Sequence, residues 1–213
     1  MRAGQQIVFY LDFISPFAYL ANAKLPDLAA RHGAELIYLP LDVMHAKLAT
    51  GNFAPSTRVL TGKREFIRRD RLWWAQHYGV PMRTPRAFSA PRLNAGILVA
   101  QEQGRVRRYV DAAFHQVWGL GGDPDDDGLL ATVAEQTGLD RDGFFASVGS
   151  PDTTSRVGAI GRDAARRGVF GVPTMIVGEE MFWGNDRLDF LEACLAGFET
   201  KKTGVALCQP HDL

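Results

Sequence analysis

Strand-like segments occur only near the two ends of this 213-residue chain, and the long stretch between them reads as helix. Residues 6–13, QIVFYLDF, are a short apolar run rich in β-branched and aromatic residues, the pattern of a buried strand. Ser15 is a good N-cap and Pro16 a good first helical residue. Phe17, Leu20, Ala21, Leu25 and Leu28 then recur on one face up to a stop at Gly33, and Pro26 inside that stretch predicts a kink. Residues 35–41, ELIYLPL, give a second strand, so the opening reads as a parallel βαβ unit. From about residue 45 to 168 helical periodicity takes over, at 63–78, 92–103, 105–118, 128–138, 141–149 and 153–168. Strand character returns at Thr174–Val177 and Met181–Trp183 around a turn at Gly178, and a last helix is expected from about Asp186 to Gly197.

This order fits an α/β fold of thioredoxin-like type, β-α-β … β-β-α, interrupted by a large all-helical insertion. Residues 1–45 and 169–205 would form the discontinuous sheet domain, 46–168 the insertion and 206–213 a tail. A doubly wound sheet needs more strands than the sequence offers. The insertion is long enough to have its own core and to wall a cleft against the sheet.

Charge narrows the function. Lys and Arg total 24 against 24 Asp and Glu, which gives no support to a nucleic-acid or membrane surface. The two cysteines, Cys194 and Cys208, make no disulfide framework, so a reducing cytoplasm is the expected setting. Neither a signal peptide nor a membrane span is legible. No metal is expected. Asp123, Asp125 and Asp127 imitate a calcium loop, but the bidentate acid should fall at Ala134. His45, His77 and His115 lack metal-ligand spacing. The basic runs at 68–70 and 105–108 read as solvated faces.

Three segments carry the chemistry. In a thioredoxin-like fold the redox cysteines sit where the first strand meets the first helix, and here that junction is Ser15-Pro16-Phe17-Ala18. Without sulfur, disulfide exchange at that place is impossible. A helix N-terminus still favours a thiolate, and a bound thiol gains as much as an intrinsic one. Ser15 would then donate its hydroxyl to an exogenous thiolate, for which glutathione is the obvious cellular candidate. Ser15-Pro16 taken alone reads first as a well-made cap, and its coupling to the Val172-Pro173 motif shifts that reading toward the thiol site. A cis Val172–Pro173 bond would expose the Val172 N–H and C=O as an edge for the cysteinyl part of glutathione, although an ordinary turn explains the dipeptide too. Trp183-Gly184-Asn185-Asp186 opens the last helix, whose amides suit a carboxylate, and Asp186 would accept an ammonium group. The plainer reading is a capped helix with a core tryptophan.

Together DFISPFAYLAN at 12–22, KLATGN at 47–52, LWWAQHYGVP at 72–81, VFGVPTM at 169–175 and FWGNDRLDFLE at 182–192 resemble the 2-hydroxychromene-2-carboxylate isomerases, relatives of the kappa-class glutathione transferases. The resemblance spans almost the whole chain. It implies a homodimer that uses glutathione to isomerise the cyclic chromene carboxylate to open-chain trans-o-hydroxybenzylidenepyruvate, as in aromatic hydrocarbon and naphthalene degradation. Transient thiolate addition would make a conjugated double bond rotate freely. Ser15 is then the catalytic residue, and Val172, Pro173, Trp183, Gly184, Asn185 and Asp186 hold glutathione. Lys47, Thr57, Arg58 and Phe88 meet the substrate, an aromatic carboxylate. Arg58 suits bidentate recognition, Lys47 acts as a point charge, and Trp74 is a further ring contact. Thr57 stands where the family tends to have Asn, and Phe88 where Tyr is usual, departures expected to shift substrate preference. A kappa-like transferase and a non-catalytic glutathione-binding protein are the competing readings.

Overall fold

The structure is a computed structural model describing residues 4–43 and 60–198. Strands β1 (Gln6–Leu11), β2 (Glu35–Pro40), β3 (Thr174–Val177) and β4 (Glu180–Trp183) form one sheet in the order β2-β1-β3-β4. β1 and β2 are parallel, while β3 runs antiparallel to both β1 and β4. The pairs Tyr10↔Thr174 and Thr174↔Trp183 fix the register across the sheet.

β1 is a continuous apolar run because both of its faces are covered. Ile7, Phe9 and Leu11 point into the main core, whereas Val8 and Tyr10 face a smaller cluster with Ala164, Val169 and Ile176. The main core runs on into the insertion, where Phe13 lies edge-on to Phe114 at 4.8 Å between ring centroids and to Tyr109 at 6.1 Å.

The expected helix from Ser15 to Gly33 is two helices, α1 (Pro16–Asn22) and α2 (Leu25–His32). Pro26 lies in the first turn of α2, where its missing N–H removes no intrahelical bond, so it produces no kink. Gly33 ends α2 in the left-handed conformation, φ 63°.

The insertion carries α3 (Thr61–Tyr78), α4 (Pro91–Glu102), α5 (Val106–Phe114), α6 (Asp127–Thr137), α7 (Arg141–Val148) and α8 (Pro151–Arg166). After α5 the chain winds into a π-turn over His115–Gly119 that buries Trp118 completely. Arg92 pairs with Asp125 of the loop before α6 at 2.8 Å and with Asp127, the first residue of α6, at 2.5 Å. The last helix, α9 (Leu188–Leu195), is preceded by a 3-10 turn, Asn185–Arg187. Among the described residues no helix is long and apolar enough to cross a membrane.

Candidate active site

The site is assembled at the C-terminal end of β1. Beyond Leu11 the chain turns through Asp12–Ser15, closed by the Ser15 N–H donating to the Asp12 carbonyl at 3.0 Å. Asp12 is buried, and its carboxylate accepts from Ile14 N–H at 3.2 Å, Val43 N–H at 3.1 Å and Asn94 Nδ2 at 2.9 Å. Burial outweighs those hydrogen bonds and, with nearby Asp42, raises its pKa to about 6. Trp118 Nε1 donates to the Phe13 carbonyl at 2.9 Å, so the π-turn braces the same loop from below.

Ser15 is the N-cap expected from sequence. Its Oγ accepts from Ala18 N–H at 3.2 Å, the residue is only 8% exposed, and its hydroxyl proton has no acceptor among the described residues. That proton is available to a ligand atom. Because α1 ends at Asn22, the dipole behind Ser15 is that of two turns rather than of a helix reaching Gly33.

The second segment approaches along β3. The Val172–Pro173 bond is cis, and the register Tyr10↔Thr174 brings Pro173 to the end of β1 from which Ser15 follows. Thr174 is fully buried and donates from Oγ1 to the Gly171 carbonyl at 2.7 Å, while Gly184 N–H donates to the Pro173 carbonyl at 3.0 Å. These bonds fix the loop and leave Val172 partly exposed, with neither its N–H nor its C=O bonded to a described residue. An extended peptide can pair with such an edge.

The β3–β4 hairpin delivers the third segment. Trp183 is no core residue. It is 52% exposed and tilts against Phe170 with 5.0 Å between ring centroids. Gly184 adopts φ 104°, a conformation side chains resist, and a Cβ there would lie 2.3 Å from Asp186 Oδ1. Asn185 and Asp186 do not cap the last α-helix as expected, because they lie in the 3-10 turn and Arg187 occupies the cap position. Asn185 is instead buried, with Nδ2 lacking any hydrogen-bond partner among the described residues. Asp186 lies 3.4 Å from Arg187.

Helix α3 forms the facing wall. Tyr78 Oη donates to the Asn185 carbonyl at 3.5 Å, and Tyr19 Oη of α1 donates to the Pro81 carbonyl at 2.8 Å. Burial first, then the charge of Asp186, pushes the Asp70 carboxyl up, which sets α3 beside that turn. Trp74 tilts on Tyr78 of its own helix, 5.3 Å between centroids. Phe88 is 38% exposed and meets Trp118 edge-on at 6.3 Å, so it lies above the indole that braces the Phe13 carbonyl. Lys47, Thr57 and Arg58, together with His45 and Cys208, lie outside the described residues.

The fold thus brings together Ser15, Val172, Pro173, Trp183, Gly184 and Asn185, with Asp186 at their edge. Sequence reading missed the brace of Asp12 with Asn94, Trp118 beneath it, and Arg71 on α3. Asn94 leaves a signal, a lone amide in the apolar stretch Leu93–Leu98. Arg71 leaves none, being one charge among several in its helix. The described residues hold no cluster of three or more metal-ligating side chains.

Residues 6–196 match the DSBA-like thioredoxin domain. A 2-hydroxychromene-2-carboxylate isomerase of Sphingobium xenophagum is 45% identical over 89% of this chain and 97% of its own length. One from Pseudomonas putida is 41% identical over 88% and 92%. A solved structure of a 2-hydroxychromene-2-carboxylate isomerase superposes with TM-score 0.86 at 40% identity, covering 90% of this chain and 94% of that one. A probable DsbA oxidoreductase from Streptomyces coelicolor, 20% identical with TM-score 0.70 and 97% of each chain covered, shares the fold.

Proposed function

The chain belongs to the DSBA-like thioredoxin family and, within it, to the 2-hydroxychromene-2-carboxylate isomerases, and from this we propose that it is a glutathione-dependent isomerase of 2-hydroxychromene-2-carboxylate or a close aromatic keto-acid analogue. The observation that carries the glutathione part is the set of hydrogen-bonding groups around one end of β1 that no described residue uses. Those groups are the Ser15 hydroxyl proton, the open Val172 edge and the buried Asn185 Nδ2. A buried amide donor without a partner is costly to leave so, and a ligand carboxylate or carbonyl would satisfy it.

The side chains present therefore fit glutathione. Val172 would pair with its cysteinyl backbone and Asn185 with its γ-glutamyl end, leaving Asp186 for the ammonium group. Bound there, glutathione supplies a thiolate whose reversible addition lets a conjugated double bond rotate. Ser15, anchored by Ala18 N–H, would hold its hydroxyl proton toward the sulfur, a charge-assisted hydrogen bond that favours the ionised thiol. Phe88 would bear on the aromatic ring. Lys47, Thr57 and Arg58 keep their proposed substrate contacts.

A homodimer in the cytoplasm completes the reading. The exposed Phe66, Leu72 and Trp73 on α3 favour association, and sedimentation tests it. The test of function is ultraviolet spectroscopy of the chromene carboxylate with and without glutathione, with mass analysis of the product. An open-chain isomer free of glutathione supports the reading. A retained adduct would instead indicate a transferase, and no reaction a binding protein.

A further inference from the structure

Arg71 is a guanidinium without a counterion among the described residues. It is half-buried on α3, its Nη2 donates to Thr84 Oγ1 at 2.7 Å, and its Cζ lies over the Trp118 indole, 5.4 Å from the ring centroid. Its Nε is buried with no hydrogen-bond partner, and no carboxylate among the described residues lies within ion-pair distance. Arg31, Arg68, Arg92, Arg107 and Arg156, by contrast, each pair with an acid. Asp70, its sequence neighbour, is engaged by Trp74 and lies in the field of Asp186. Withdrawing a cation from water without a partner is unfavourable, and an arriving anion relieves that cost through a charge-assisted hydrogen bond.

What surrounds Arg71 specifies the anion. Trp118 is fully buried and supports Arg71 and the half-exposed Phe88 from beneath, while its N–H is bonded to the carbonyl of Phe13, two residues before Ser15. A cation and an aromatic ring are thus fixed on one indole next to the catalytic loop. Resting on the function proposed above, we infer that Arg71 is a specificity-determining receptor for the substrate carboxylate, its Nε–H facing an aryl acid whose ring lies against Phe88.

The test uses binding without turnover. Cinnamate and the uncharged cinnamamide are titrated into the full-length protein by calorimetry, in the absence of glutathione. The wild type is expected to bind cinnamate tighter than cinnamamide. Arg71→Gln should weaken cinnamate about tenfold or more and leave cinnamamide unchanged, the remaining preference for the acid belonging to Lys47 and Arg58. Arg71→Lys should recover part of the loss, because it restores the charge without the planar fork. Thr84→Val keeps the charge and frees its anchor, so it should weaken cinnamate severalfold and serves if Arg71→Gln fails to fold. In the isomerase assay KM for the chromene carboxylate should rise in Arg71→Gln while glutathione affinity holds. Equal cinnamate binding by wild type and Arg71→Gln, or by wild type and Thr84→Val where the former cannot be made, overturns the assignment. A wild type that prefers the acid but isomerises nothing overturns the proposed function and leaves the Arg71 site standing.

Discussion

Asn94 reaches across 82 residues of sequence to donate from Nδ2 to Asp12 Oδ1 at 2.9 Å, and its Oδ1 accepts the Phe13 N–H at 3.2 Å. One amide therefore ties the insertion to the loop that presents Ser15. With Trp118 on the Phe13 carbonyl, both polar groups of that peptide backbone are held from the helical side. The position of Ser15 is thus set by the insertion as much as by the sheet.

Asp12 should make stability depend on pH in an uncommon direction. Its folded pKa of about 6 lies above the ordinary 3.8, so the folded state holds the proton more tightly. This contribution is fully present below pH ~4 and is lost as pH rises through 6, an effect on the order of 3 kcal/mol. Asp12→Asn should flatten it, at the cost of facing an amide donor toward the Val43 N–H or toward its other donors. Denaturant midpoints of wild type and variant between pH 4 and 8 measure the difference, and carbon NMR of the Asp12 carboxyl reads the midpoint directly.

Ser15→Ala should separate catalysis from capping. Loss of the bond from Ala18 N–H costs ~1 kcal/mol of stability. Loss of the donor to sulfur should lower glutathione-dependent turnover ~10²–10³-fold. Thermal melts and initial rates on the same preparation check both.

Asn185→Leu should trade ligand binding for stability. Its buried Nδ2 bonds to no described residue, so an apolar side chain of similar size leaves stability unchanged or raises it by up to ~1 kcal/mol. Glutathione affinity should fall about tenfold. Calorimetric titration and chemical denaturation read the two effects separately.

Gly96→Ala should destabilise despite the better helix propensity of alanine. A Cβ there would lie 2.1 Å from Tyr109 Oη, which is bonded to the Leu93 carbonyl at 2.9 Å. The gain of ~1 kcal/mol in propensity is outweighed by overpacking of ~1–3 kcal/mol and the strained hydrogen bond. The urea midpoint of the variant should be lower than that of the wild type.

Much of this architecture is legible in the sequence because burial on both faces leaves residues 7–11 of β1 and 175–177 of β3 as apolar runs, and because the Ser15 side chain and the left-handed backbones of Gly33 and Gly138 mark helix ends. The break between α1 and α2 is hidden because a proline reads alike as a kink inside a helix and as the first turn of a new one. The cap assigned to Asn185 and Asp186 fails for a similar reason, since both residues suit a 3-10 turn as well as a helix start. Asp12 is visible as part of a motif. Its burial depends on Asn94, a partner no local pattern can supply. Arg71 stays hidden because a run of charges on a helix reads as a solvated face until the fold lays one of them over an indole.

The most direct measurement is the ultraviolet absorbance of the glutathione thiolate, titrated against pH in the presence of excess protein, for wild type and Ser15→Ala. Docking of the sulfur at Ser15 predicts a thiol pKa well below that of free glutathione in the wild type and a return toward the free value in the variant. A bound thiol that titrates like free glutathione, or the same lowered value in both proteins, would contradict it.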